Sequence, residues 1–246
     1  SPEPEPTRTA VREASLVADG AGGAPDATGT VRIERDATGG LYVALADDFA
    51  QEMGPGDTQL ILARTGDNIQ SQRDADAEST SMSLGTIPNG ASGERAFALP
   101  SDVDLDDFDY AVIWCPTAGV NFGVAQLPLR AGQLAGDGPG NAPDASGGIA
   151  ISRGADNALT IELADDFMQE MGPGDTQLIL AKGDGNVNDQ RTMAASNASD
   201  SLGTITNGAS GSQSFAVPDD VDLDQFDYAI IWCPTAGVNF GVAELN

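Results

Sequence analysis

A single stretch occurs twice and closes each half of the chain. It reads FDYAVIWCPTAGVNFGVA over 108–125 and FDYAIIWCPTAGVNFGVA over 226–243, with Val112 against Ile230 as the only difference. Both cysteines and both tryptophans of the molecule lie in it. Trp114 and Trp232 are 118 positions apart, as are Gln51 and Gln169, Leu84 and Leu202, and Thr28 and Ser146. Residues 19–127 align on 137–245 with no insertion or deletion. A register kept over that length marks a duplicated domain, each copy long enough to enclose its own core.

The pattern inside each copy is that of short strands. VRIER, with Val31 and Ile33 alternating, is followed by a Gly-Gly turn and by LYVAL, with Leu41, Val43 and Leu45 on one face; this predicts a hairpin with period-2 burial. IAISR and LTIEL keep it in the second copy. Asp47 or Asp48 is placed to cap one helical turn carrying Phe49 and Met53, which Gly54-Pro55-Gly56 stops. TQLILA is a continuous apolar run suited to a central strand. The polar segment from Arg64 to Ser83 drifts most between copies and is expected to be a surface loop. Asn89-Gly90 and Asn207-Gly208 signal tight turns, and AFALP adds to the sheet. The expected architecture is all-β: two tandem β-sandwich or barrel-like domains, roughly seven to nine strands each.

The lead-in segments 9–20 and 127–138 share a pattern, Val11 with Leu129, Arg12 with Arg130 and Leu16 with Leu134. The expected division is therefore a Pro/Glu-rich spacer and lead-in strand over 1–18, a first β domain over 19–127, a linker or lead-in strand over 128–136, and a second β domain over 137–246. The opening SPEPEPTRTA, without an initiator methionine, reads as a processed, exported product, and its Pro-Glu alternation as an extended tether. A strand from 129 to 134 could also bridge the copies at a sheet edge. Val11 to Leu16 could then do the same for a neighbouring molecule and propagate a head-to-tail filament.

Charge narrows the partners. The chain carries 38 acidic residues against 11 basic ones and no histidine, for a net charge of -27. Such a surface repels nucleic acid and anionic membranes, so neither is expected to bind. One lysine against ten arginines, on so acidic a chain, suits high salt, where screening shortens self-repulsion; an ordinary acidic secreted protein is the alternative. No run of about 18 apolar residues spans a membrane.

The chemistry-bearing residues are few. Cys115 and Cys233 are each alone in their copy, so no disulfide closes within one. Three readings stand open: a buried thiol behind Trp114 and Trp232, a Cys115–Cys233 bridge, and a redox role. Without histidine the common zinc sites are excluded. Asp102, Asp104 and Asp106, with Asp220, Asp222 and Asp224, offer oxygen ligands spaced like the start of a calcium loop, but lack its glycine and its late glutamate; a solvated turn is the simpler reading. Calcium is the metal these oxygens would suit, and no cofactor is otherwise expected. Asn197-Ala198-Ser199 is the sole N-glycosylation acceptor. No histidine base and no Gly-X-Ser-X-Gly elbow exist, so no enzyme is expected.

The order of landmarks resembles the DM-thirteen domain, the electron-transfer DM domain that accompanies DOMON domains in some extracellular proteins. Trp114-Cys115 with Phe122-Gly123-Val124-Ala125 carries the likeness, repeated at Trp232-Cys233 and 240–243. Asp47, Phe49, Gly54, Pro55 and Leu60 are a second match, with Asp165, Phe167, Gly172, Pro173 and Leu178. The resemblance implies a β-rich exported domain whose lone cysteine has been proposed for redox or electron-transfer chemistry, which would make Cys115 and Cys233 the functional residues. Pro116-Thr117-Ala118 and Pro234-Thr235-Ala236 stand where an aromatic is commonly expected after the cysteine.

The residues favour an exported, acidic, cell-surface or extracellular structural or interaction protein. Its signature strands serve as packing through Trp114, Phe122, Trp232 and Phe240, and its partners are itself or other surface proteins. The alternative is a redox or electron-transfer carrier acting through the two cysteines.

Overall fold

The computed structural model describes residues 7–19, 23–75, 81–137, 143–154 and 157–246. The Pro-Glu spacer over 1–6 lies outside the described residues. The chain divides into two units, Ser1–Pro128 and Leu129–Asn246.

The first unit contains β1 (Arg8–Ala18), β2 (Ala27–Asp36), β3 (Leu41–Leu45), β4 (Ala50–Gln51), β5 (Thr58–Ala63), α1 (Ile69–Ala75), β6 (Ser81–Ile87), β7 (Arg95–Ala98), β8 (Tyr110–Cys115) and β9 (Val120–Gln126). They form one nine-stranded antiparallel sheet in the order β6-β5-β8-β9-β1-β2-β3-β7, with β4 on β2. β1 is its corner: residues 8–16 pair with β2, while Val17 and Ala18 pair with β9. The sheet folds there into a nearly closed barrel around a core that includes Val31, Ile33, Val43, Leu60, Leu62 and Ile113. β6 and β7, its two edges, meet without pairing at Gly85, where a Cβ would stand 2.6 Å from the Phe97 ring. An aromatic laid over a glycine covers backbone that the ladder leaves open.

The second unit repeats this with β10 (Arg130–Gly136), β11 (Ala145–Arg153), β12 (Leu159–Leu163), β13 (Met168–Gln169), β14 (Thr176–Ala181), α2 (Val187–Met193), β15 (Gly203–Ile205), β16 (Gln213–Val217), β17 (Tyr228–Cys233) and β18 (Val238–Glu244). Its order is β15-β14-β17-β18-β10-β11-β12-β16, with β13 on β11. Its core holds Ile151, Ile161, Leu163, Leu178, Leu180 and Ile231. Among the described residues, no helix is long and apolar enough to cross a membrane.

Two local expectations are corrected, and the lead-in strands find their place: β1 pairs first with β2 and then with β9, and β10 first with β11 and then with β18, each within the copy it precedes, because that strand is what turns the sheet into a barrel. The polar segment 64–83 is no plain loop, since it contains α1 and the start of β6. The helical turn near Phe49 does not form. Asp48 instead accepts hydrogen bonds from the Thr30 amide at 2.9 Å and the Thr30 hydroxyl at 2.8 Å, and Met53 points to solvent while Phe49 enters the core.

The Asn-Gly turns link edges that do not pair. Gly90, at φ +68°, makes the turn, and the Asn89 carboxamide clasps Gly54, accepting from its amide at 2.7 Å and donating to its carbonyl at 2.8 Å. Asn207 does the same to Gly172. β9 runs close against β2 at Gly123, where a Cβ would lie 2.5 Å from the Ala27 carbonyl oxygen. Gly123→Ala is expected to cost the first copy about 1–3 kcal/mol through overpacking. Denaturant unfolding should show that copy melting earlier, with the second unchanged.

Candidate functional site

The repeated signature is a β-hairpin, β8 with β9 and β17 with β18. Each first strand is enclosed on both faces: its burial runs without a break from Ala111 to Cys115, and from Ala229 to Cys233. Alternate residues therefore serve two different interiors. Ile113 and Cys115 face the barrel core with Phe122, while Val112 and Trp114 face outward into a second apolar patch with Ile61, Ala63 and Ile69. The counterpart patch joins Ile179, Ala181, Val187, Ile230 and Trp232.

A bulge sets this geometry. Ile113 pairs with Gly123 and Trp114 with Asn121, leaving Phe122 as the extra residue, driven fully into the core. The same bulge aims the buried Asn121 at the segment that crosses the outer patch. Its Nδ2 donates to Asp19 Oδ2 at 3.2 Å and to the Asp67 carbonyl at 3.2 Å, and its Oδ1 accepts from the Ile69 amide at 3.3 Å. Asn239 makes the matching contacts to Asp137, Gly185 and Val187.

The Pro-Thr-Ala-Gly turn completes the cover. Asn68 starts α1 by accepting from the Gln70 and Ser71 amides, and its Nδ2 donates to the Gly119 carbonyl at 2.9 Å. Asn186 links α2 to Gly237 at the same distance. On the helices, Arg73 lies over the Trp114 ring at 4.7 Å and Arg191 over Trp232 at 5.4 Å. Both indole N–H groups are buried and meet no acceptor among the described residues. The field at the strand head is anionic: burial, then Asp109 and Asp67, push the Tyr110 hydroxyl up, and Glu244 leads the same effect on Tyr228.

The cysteines are free, so the Cys115–Cys233 bridge is not formed; each is wholly buried within its own copy's core. A group held at the sulfur would have to displace core side chains, so the thiol as folded does not fit an exposed cofactor contact. Trp114, Phe122, Trp232 and Phe240 are all buried.

The aspartate runs are not gathered around a point. Asp104 and Asp222 accept from the amides two residues on, capping single 3-10 turns. Asp106 pairs with Arg12 at 3.3 Å and Asp224 with Arg130 at 3.0 Å, while Asp102 and Asp220 are exposed. Among the described residues, no group of three or more His, Cys, Asp or Glu is disposed to hold a metal. These arginine pairs fasten each lead-in strand to the approach of its own signature strand.

Asn197 is half-buried in a short 3-10 turn, and its carbonyl accepts from the Lys182 amide. Ser199 of the same acceptor sequence is occupied: its hydroxyl accepts from the Leu180 amide, and its carbonyl from Arg191 at 2.6 Å.

Sequence reasoning missed Asn121, Asn68 and Arg73 and their counterparts. The available signal was the apolar run of the signature strand, which requires cover on both faces. Asn121→Ala is expected to cost about 1–3 kcal/mol, because buried backbone groups lose their partner. A thermal melt and limited proteolysis should show α1 cut readily while the barrel persists.

A family model described as "Electron transfer DM13" matches residues 21–127 and 140–245. No curated protein and no solved structure matches the chain.

Proposed function

The chain belongs to the DM13 family, as a tandem of two such domains, and from that premise we propose that it is an exported, non-enzymatic structural or interaction protein of the cell surface. The observation that carries this reading is the position of the family's lone cysteine. Cys115 and Cys233 are each 0% exposed among apolar core residues, where a thiol behaves as a small hydrophobe. The tryptophans give the same support. A guanidinium over the ring opposes a positive charge on it.

What remains for function is the outside, with its net charge of -27. Itself and other surface proteins are the proposed partners. Strand donation is not the proposed route, because β1 and β10 are each built into the sheet of their own copy, one part on β2 or β11 and the rest on β9 or β18. High salt is the proposed setting, where the Debye length falls to about 3 Å near 1 M and self-repulsion fades. The melting temperature should therefore rise with potassium chloride concentration, which differential scanning calorimetry measures; a flat or falling curve removes the halophilic part.

The family description favours one rival, an electron carrier working through the cysteines. Thiol titration of native protein, with an absorption spectrum of the same sample, separates the two. The expected outcome is a colourless protein whose thiols react only after unfolding. A visible band, or two thiols titrated in the folded state, would establish the carrier instead.

A further inference from the structure

Methionine ordinarily fills gaps in cores, where its flexible thioether packs against irregular neighbours. This chain uses it otherwise. Of five methionines, Met53, Met171 and Met193 are 80% exposed and Met168 is 62% exposed. Met82, on β6, is half-buried, and neither core contains a methionine.

Two of the exposed residues occupy built positions. Met53 and Met171 are equivalent in the duplication, and each lays its stem on the glycine of an Asn-Gly turn. A Cβ at Gly90 or at Gly208 would stand 2.8 Å from the methionine Cγ, so the glycine leaves the seat open. The second copy adds Met168 and Met193 where the first has Ala50 and Ala75. The other oxidisable side chains are sheltered: both cysteines are fully buried, and each tryptophan lies under an arginine.

We propose that Met53, Met168, Met171 and Met193 are oxidation sites that take up oxygen atoms from hydroperoxides while the fold persists. The thioether lone pair attacks the terminal, hydroxyl oxygen of the hydroperoxide, so that an S–O bond forms as the O–O bond breaks and that oxygen's proton passes to the departing oxygen. Sulfur loses two electrons, and the peroxide is reduced to an alcohol, or to water when it is hydrogen peroxide. The sulfoxide is polar and would disrupt a core, but these four side chains already stand in water.

The test treats the full native chain with excess hydrogen peroxide and follows each site by peptide mass mapping, beside the same chain unfolded in guanidinium. The four sites should convert within about threefold of their unfolded rates, while Met82 and the cysteines are slowed more than about tenfold, following exposure. The oxidised protein should melt within about 2 °C of the untreated one, a shift that marks little loss of stability in a chain this long. The M53L/M168L/M171L/M193L variant should lose nearly all native oxygen uptake. Protection of any of the four to the level of Met82, prior loss of the cysteine thiols, a much lower melting point after oxidation, or undiminished uptake by the variant would each overturn the proposal.

Discussion

Enclosure of one strand on both faces is the constraint from which the rest of each domain follows. A strand at the surface of a sandwich needs an inner layer alone. β8 and β17 require a second layer outside, and the chain supplies it with a short helix, an asparagine cap and an arginine laid across the tryptophan. Each large apolar side chain so enclosed stabilises the domain by roughly 1.5–3 kcal/mol. The bulge at Phe122 serves both layers at once, since it drives a phenyl ring inward and turns an asparagine toward the covering segment.

The duplication separates what this scheme requires from what it tolerates. The asparagine pairs, the bulge, the glycine clasps and the arginine–aspartate ties of the lead-in strands recur in both copies. The ion pair between Arg8 and the buried Glu34 does not, for Ser152 stands at the second position. Losing both charges together leaves neither one buried and unpaired, so a face of the sheet can change in this way without altering the barrel.

Much of the fold was legible because it rests on local chemistry. Alternating Val31 and Ile33, the apolar run TQLILA and the turn glycines announce strands and breaks through period and propensity alone. The helix α1 was not legible. IQSQRDA has a single apolar residue facing a core, Ile69, so no periodic stripe distinguishes it from a polar loop. It is held by Asn68 and Asn121, and the hydrogen bonds from Ile69 to Asn121 and from Asn68 to Gly119 span about fifty positions of sequence. In the aspartate run, whose spacing resembles the start of a calcium loop, Asp104 caps the 3-10 turn and Asp106 pairs with Arg12.

By itself the sequence determined a repeated all-β unit, its strand order along the chain and a net charge of -27, because these depend on register, side-chain period and summed charge. Three-dimensional packing decided where each lead-in strand belongs and that both sulfurs lie inside, since a strand's neighbour and a side chain's facing depend on which distant segments close over it. The same packing left four of the five methionines in water, a placement that residue type alone would have assigned to the core.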